Sequence, residues 1–249
     1  MGLFKKTKNQ TTFNNSAHKK TLHRNLEFTA TEQYKLLRTN LAFTLPVGEK
    51  CPIIGVTSSM RGEGKSTTSV NLSYVLAETG SKVLLIDGDL RIPSVAKKMD
   101  LENSIGLTDL LMGKGASITE FQSDVLKNWY ILPSGKIPPN PSELLGSRRM
   151  ETVLNELKTV FDYIIIDLPP VNLVSDAVSI SSLITGMVVV IREEYAEKKE
   201  LEHCFRQLKL SNVNVLGCVM NGSKSGGGSY GKYKRYKYYK SYYKNSSED

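Results

Sequence analysis

The stretch "IIGVTSSMRGEGKSTTSVNLSYVL", residues 53–76, holds a short apolar run, a Gly-containing turn and a helical segment, in that order. Backbone N–H groups of such a turn and the helix N-terminus converge on one point, which is how a phosphate is cradled. Gly62 and Gly64 let the backbone approach closely, Lys65 can reach the outer phosphates and the Ser66 hydroxyl can ligate Mg2+. The candidate nucleotide loop is therefore Ser59, Met60, Arg61, Gly62, Glu63, Gly64, Lys65, Ser66 and Thr67. Ser59 stands where the strict motif begins with Gly, and the strand-before, helix-after context supplies the confirmation the motif demands.

Beyond this stretch the pattern repeats. "VLLID", "WYILPS", "YIIIDLPP", "MVVVI" and "VNVLGCVMN" are short, continuous apolar runs, as expected of strands buried on both faces. Helices are expected between them, over 65–79 and 197–209 among others, and a further helix precedes the first strand, over "TATEQYKLLRTNLAF" up to Pro46. The fold class is α/β: a three-layer P-loop NTPase fold, its mostly parallel sheet covered by helices on both faces.

Three carboxylates sit at strand ends. Asp87 and Asp89 close "VLLIDGD" and Asp167 closes "YIIID". Ligands of an open parallel sheet bind outside the carboxyl ends of its strands, so these groups and the phosphate loop face one crevice. A lone Asp there is a common turn former, whereas three beside a Lys-Ser loop fit Mg2+ ligands and a base. ATP and Mg2+ are the expected cofactors, and phosphoryl transfer the expected chemistry, to water or to a hydroxyl.

Charge separates the ends from the body. The net +8 arises because residues 1–25 hold six Lys/Arg and no acid, and residues 222–249 hold seven Lys/Arg against Glu248 and Asp249. The body between is slightly acidic, which argues against a nucleic-acid groove in it. The expected division is a flexible basic segment 1–26, a catalytic domain 27–221 and a flexible tail 222–249 after a Gly/Ser-rich hinge. That tail carries Tyr230, Tyr233, Tyr236, Tyr238, Tyr239, Tyr242 and Tyr243 among its lysines. Cys51, Cys204 and Cys218 have no metal-type spacing and are expected to be buried packing residues in a reducing compartment. No apolar run reaches the roughly 18 residues of a membrane span, and the first ten residues lack a signal-peptide core.

The set "SSMRGEGKST", "VLLIDGDLR", "YIIIDLPPVNLVSDA", "IPPNPSELLGS" and "EQYKLLRTN" resembles the bacterial tyrosine kinases of capsule and exopolysaccharide operons, the CpsD/CapB type, over about residues 27–221. The resemblance implies an ATP- and Mg2+-dependent protein-tyrosine kinase whose tail tyrosines are its phosphoacceptors. Lys65 and Ser66 would belong to the first nucleotide motif and Asp167 would lie near the metal. Asp87 and Asp89 would act at the reacting centre close to Mg2+, one of them as base. Asn221, ending the last strand, would contact adenine. Glu32, Lys35 and Arg38 would form a contact in a homo-oligomeric ring of unphosphorylated protomers, with Lys35 in place of the family's Arg. A membrane-spanning polysaccharide co-polymerase would be the activator, a cognate phosphotyrosine phosphatase would oppose it, and the cytoplasmic kinase would be recruited to the inner face of the membrane. Nucleic acid is not an expected partner.

Two other readings share parts of the pattern. A ParA/MinD-type ATPase switch would have the same fold and loop, but carries a Lys where this chain has Met60, and has no tyrosine tail. A nucleic-acid or membrane-binding module would use the Lys/Tyr tail for stacking or for anionic lipid, yet beyond a Gly-rich hinge the rings have no rigid platform.

Overall fold

The computed structural model describes residues 26, 28–101 and 105–223. Nearly all of the basic segment 1–26 and of the tail 222–249, including its seven tyrosines, lies outside the described residues.

Six strands form one parallel sheet: β1 (Ile53–Ser58), β2 (Val83–Asp87), β3 (Trp129–Leu132), β4 (Tyr163–Asp167), β5 (Gly186–Arg192) and β6 (Val215–Asn221), in the order β3-β2-β4-β1-β5-β6. Alternate side chains divide the sheet between two cores. Ile54, Val56, Leu85, Ile165 and Val190 face helices α1 (Phe28–Thr44), α2 (Lys65–Ala77) and α3 (Val95–Met99). Ile53, Leu84, Ile166 and Val189 face the other way, toward α4 (Leu107–Leu111), α5 (Pro141–Leu145), α6 (Arg148–Lys158), α7 (Asp176–Ser179) and α8 (Lys198–Leu210). Each fully buried aliphatic side chain contributes on the order of 1.5–3 kcal/mol, so the continuous Val/Ile runs hold the layers together.

α6 is built locally. The Ser147 hydroxyl accepts a hydrogen bond from the Met150 N–H at 3.1 Å and caps the helix, while Met150, Val153, Leu154 and Leu157 form its buried stripe. α1 ends shortly before Pro46 and buries Leu41, whereas Leu36 and Phe43 of the same helix are exposed. Arg38 fixes α1 to α2 by donating to the Val75 carbonyl at 2.6 Å.

Two sequence expectations need correction. β6 is an edge strand whose residues are only partly covered, so its apolar run is not that of a strand buried on both faces. For the same reason Cys218 is exposed, while Cys51 and Cys204 are buried as expected. The other edge strand, β3, stays buried because Gln122 bridges Tyr130 and the turn Ile118–Phe121 packs beside it.

Candidate active site

The carboxyl ends of β1, β2 and β4 adjoin in the sheet, with Val56 and Asp87 both in register with Asp167. That register brings the loop after β1 and the acids after β2 and β4 to one place. Lys65 Nζ lies 2.9 Å from Asp89 Oδ2, 3.8 Å from Asp167 Oδ2 and 3.4 Å from Ser66 Oγ. The Ser69 hydroxyl, which the sequence did not single out, donates to Asp167 Oδ1 at 3.1 Å. Asp167 Oδ2 is buried with no hydrogen-bond donor.

Asp87 is held differently. Its Oδ1 accepts from the Asp89 N–H at 3.2 Å and its Oδ2 from the N–H groups of Ser94 and Val95 at 3.0 and 2.9 Å, so it anchors the start of α3. Burial, then the Asp167 charge, pushes the Asp87 carboxyl up to about 7 despite these donors. Burial also raises Asp167. For Lys65 burial acts downward, but Asp167 and Asp89 outweigh it and the net shift is upward.

The phosphate loop is held from within and below. The Glu63 carboxylate accepts from Ser59 Oγ at 3.0 and 3.1 Å and from the Met60 N–H at 2.8 Å. Gly62 and Gly64 have φ of +82° and +97°, the left-handed region that glycine adopts without strain. Asn221 Nδ2 donates to the Glu63 carbonyl at 2.8 Å and its Oδ1 accepts from the Gly222 N–H at 2.9 Å. Both polar atoms of this expected adenine contact thus meet backbone of its own chain. Arg192 donates to the Gly62 carbonyl at 3.1 Å, and Arg61 is exposed at the loop tip.

Arg91 of "DGDLR" forms a two-point ion pair with buried Asp176, donating from Nε and Nη2 at 2.9 Å each, and also donates to Ser142 Oγ at 3.2 Å. This ties the β2 loop to α5 and α7 beside the crevice. Glu32 and Lys35 pair on the surface of α1 at 2.9 Å, away from this cluster in sequence and on a separate helix.

Nucleotide and metal can be tested against these residues. Two carboxylates, Asp89 and Asp167, meet one ammonium in a buried place, and Asp167 Oδ2 lacks a hydrogen-bond partner, so the cluster has capacity for a cation. Among the described residues no three His, Cys, Asp or Glu side chains form a metal cage. Mg2+ is suited to that, since it keeps several waters and takes one or two protein oxygens beside substrate phosphates. The residues present fit a metal–nucleotide pair.

Residues 51–216 match the family model described as an AAA domain. The chain is 40% identical to the tyrosine-protein kinase YwqD of Bacillus subtilis over 193 residues, 78% of this chain and 81% of that protein. Its fold superposes on the kinase domain of the Escherichia coli tyrosine kinase ETK with a TM-score of 0.74 and 32% identity, covering 81% of this chain and 79% of that one. The septum site-determining protein MinD of Pyrococcus horikoshii, solved with Mg-ADP, reaches a TM-score of 0.57 at 28% identity over 70% of this chain and 72% of its own. The kinase likenesses are longer and tighter than the MinD likeness, and they extend across most of both partners. The chain belongs to the bacterial tyrosine-protein kinase family and is a protein-tyrosine kinase.

Proposed function

We propose that the chain uses Mg-ATP to phosphorylate tyrosines of its own C-terminal cluster, Tyr230 to Tyr243, presented by a neighbouring protomer, and thereby regulates capsular or exopolysaccharide synthesis and export. The observation that carries the reading is the Lys65 ammonium between Asp89 and Asp167, beside a carboxylate oxygen with no donor.

Ser66 and Asp167 would hold Mg2+, which neutralises charge spreading over the transferred phosphoryl group. Lys65, now engaged with Asp89, is the group that exchanges a carboxylate for phosphate oxygens when ATP arrives. Asp89 is then released as base. It sits nearer the surface than Asp87, whose two oxygens are committed to three backbone donors. In the transfer, the tyrosine hydroxyl proton passes to Asp89, its oxygen bonds to the γ-phosphorus, and the bond from γ-phosphorus to the ADP oxygen breaks.

Sequence separation supports transfer between protomers. Tyr230 stands nine positions past Asn221, which itself meets the phosphate loop, and so short a return in the in-line pose is harder than extending to a neighbouring crevice. Each phosphate adds about −1.5 to −2 charge, so modification reverses the sign of the tail and works against the unphosphorylated ring. A membrane-spanning polysaccharide co-polymerase fits as the activator that brings the kinase to the inner membrane face, with a phosphotyrosine phosphatase in opposition. Among the described residues no helix is long and apolar enough to cross a membrane.

The test mixes two proteins with Mg-ATP: a catalytically intact chain ending at 223, and a Lys65→Met chain that keeps its tail. Mass spectrometry should find phosphotyrosine on the Lys65→Met tail. If the full-length kinase modifies itself but this pair yields none, transfer between protomers is wrong. An unmodified tail in both would refute the choice of phosphoacceptor.

A further inference from the structure

Lys98 lies on α3, far in sequence from the phosphate loop, yet its Nζ is 3.3 Å from the Thr67 hydroxyl in the first turn of α2. Its place is fixed from both ends of α3. Asp87 accepts the N–H groups of Ser94 and Val95, and Val95 and Met99 are buried against the sheet.

This arrangement is electrostatically poor by itself. The N-terminus of a helix carries about half a positive charge, and cations are unfavourable there. Lys65 already stands at that end and is offset by Asp89 and Asp167. Lys98 meets only a hydroxyl among the described residues, with no carboxylate in ion-pair reach. A second ammonium becomes favourable at this end once an anion of several charges occupies the loop. At the same helix end Asp167 Oδ2, buried without a hydrogen-bond partner and 3.8 Å from Lys65 Nζ, leaves an oxygen for the cation that accompanies a bound polyphosphate.

We propose that Lys98 is a second phosphate-binding cation, acting with Lys65 on the nucleotide's polyphosphate from the opposite side of Thr67. The inference rests on the nucleotide reading of the loop and adds a residue to it. It also links the two halves of the site: Asp87, which anchors α3, thereby sets where this cation stands.

The test uses Lys98→Met and Lys98→Arg in the full chain, with Lys65→Met as reference. Binding of ATP, ADP and adenosine is measured by titration calorimetry, and melting temperature is recorded without nucleotide. Lys98→Met should weaken ATP and ADP about tenfold, equivalent to about 1.4 kcal/mol, and leave adenosine unchanged. Lys98→Arg should restore most of the loss. Without nucleotide, Lys98→Met should melt no lower than the parent, since it removes a cation from a positive helix end. Unchanged ATP affinity overturns the proposal, as does equal weakening of ATP and adenosine. A lower melting temperature with no selective loss of ATP would make Lys98 a structural prop. If the parent itself binds no ATP and Lys65→Met changes nothing, the nucleotide reading fails along with it; normal parent binding that only Lys65→Met removes sinks the Lys98 role alone.

Discussion

Lys65 and Asp89 meet at 2.9 Å although 24 positions separate them, joining the loop after β1 to the loop after β2 across the intervening strand β4. The pair is nearly enclosed, and Asp167 lies 3.8 Å from the same ammonium. One cation therefore balances carboxylates from two strand ends, and its removal has consequences for both stability and chemistry.

Replacing Lys65 with Met should abolish tail phosphotyrosine under Mg-ATP. It should also lower the melting temperature of the nucleotide-free protein, because breaking a buried pair leaves uncompensated charge costing about 3 kcal/mol. Burial already raises the Asp167 carboxyl, so acid relieves its share of that charge by protonation. The deficit relative to the parent should therefore shrink as pH falls; a deficit independent of pH would mean that Lys65 does not act by neutralising Asp167.

The raised Asp87 carboxyl gives a second pH signature. Its value is about 7 in the fold against 3.8 for the free group, so the fold binds its proton more tightly than the unfolded chain between those values. Stability from this group is full below about 4 and is lost as pH rises through 7. Urea denaturation of the nucleotide-free protein should thus show the parent losing stability from pH 5 to 8 relative to Asp87→Asn. The slope is the readout, since Asn also places an amide against backbone donors and lowers stability at every pH. Parallel pH curves for the two proteins would show that Asp87 is ionised throughout.

The loop clamp is tested at Gly64. An added Cβ there would run into Asn221 Nδ2, at a φ of +97°. Gly64→Ala should cost at least tenfold in ATP affinity, about 1.4 kcal/mol. Asn221→Ala should partly rescue it in the double variant, because the clash is gone while the backbone strain of a non-glycine residue remains. Additive losses in a double-mutant cycle would mean that the two residues do not meet.

Much of this was readable in the chain itself. "IIGVTS" and "VLLID" coincide with β1 and β2 because each opens on apolar residues buried on both faces and turns polar only at its carboxyl end, where a loop begins. The meeting of Lys65 with Asp89 and Asp167 was legible for the same reason: these residues stand at or shortly after the strands' carboxyl ends. What escaped were contacts between side chains distant in sequence. Arg91 and Asp176 are 85 positions apart, Lys98 and Thr67 are 31 apart, and no local spacing encodes either meeting. β6 misled because Val and Met also suit a half-covered edge, where one flank is packed and Cys218 faces out. The five-residue helices α3, α4 and α5 are too short to display a period, while the longer α6 shows one in Met150, Val153, Leu154 and Leu157.

The charged face of α1 separates an internal role from one between protomers. Glu32 and Lys35 pair at 2.9 Å with each side chain more than 40% exposed, and such a pair contributes at most about 1 kcal/mol to the fold. Arg38 is engaged within the chain through the Val75 carbonyl, so Arg38→Ala should loosen α1 and lower the melting temperature whether or not protomers associate. On the proposal that Lys35 serves a contact between copies, Lys35→Ala should lower melting by no more than about 2–4 °C while shifting light-scattering mass toward the monomer. Lys35→Arg, with its fork of donors, should strengthen that contact and raise the oligomer fraction. Unchanged mass for both Lys35 variants, in a parent that does oligomerise, would confine Glu32 and Lys35 to their own helix.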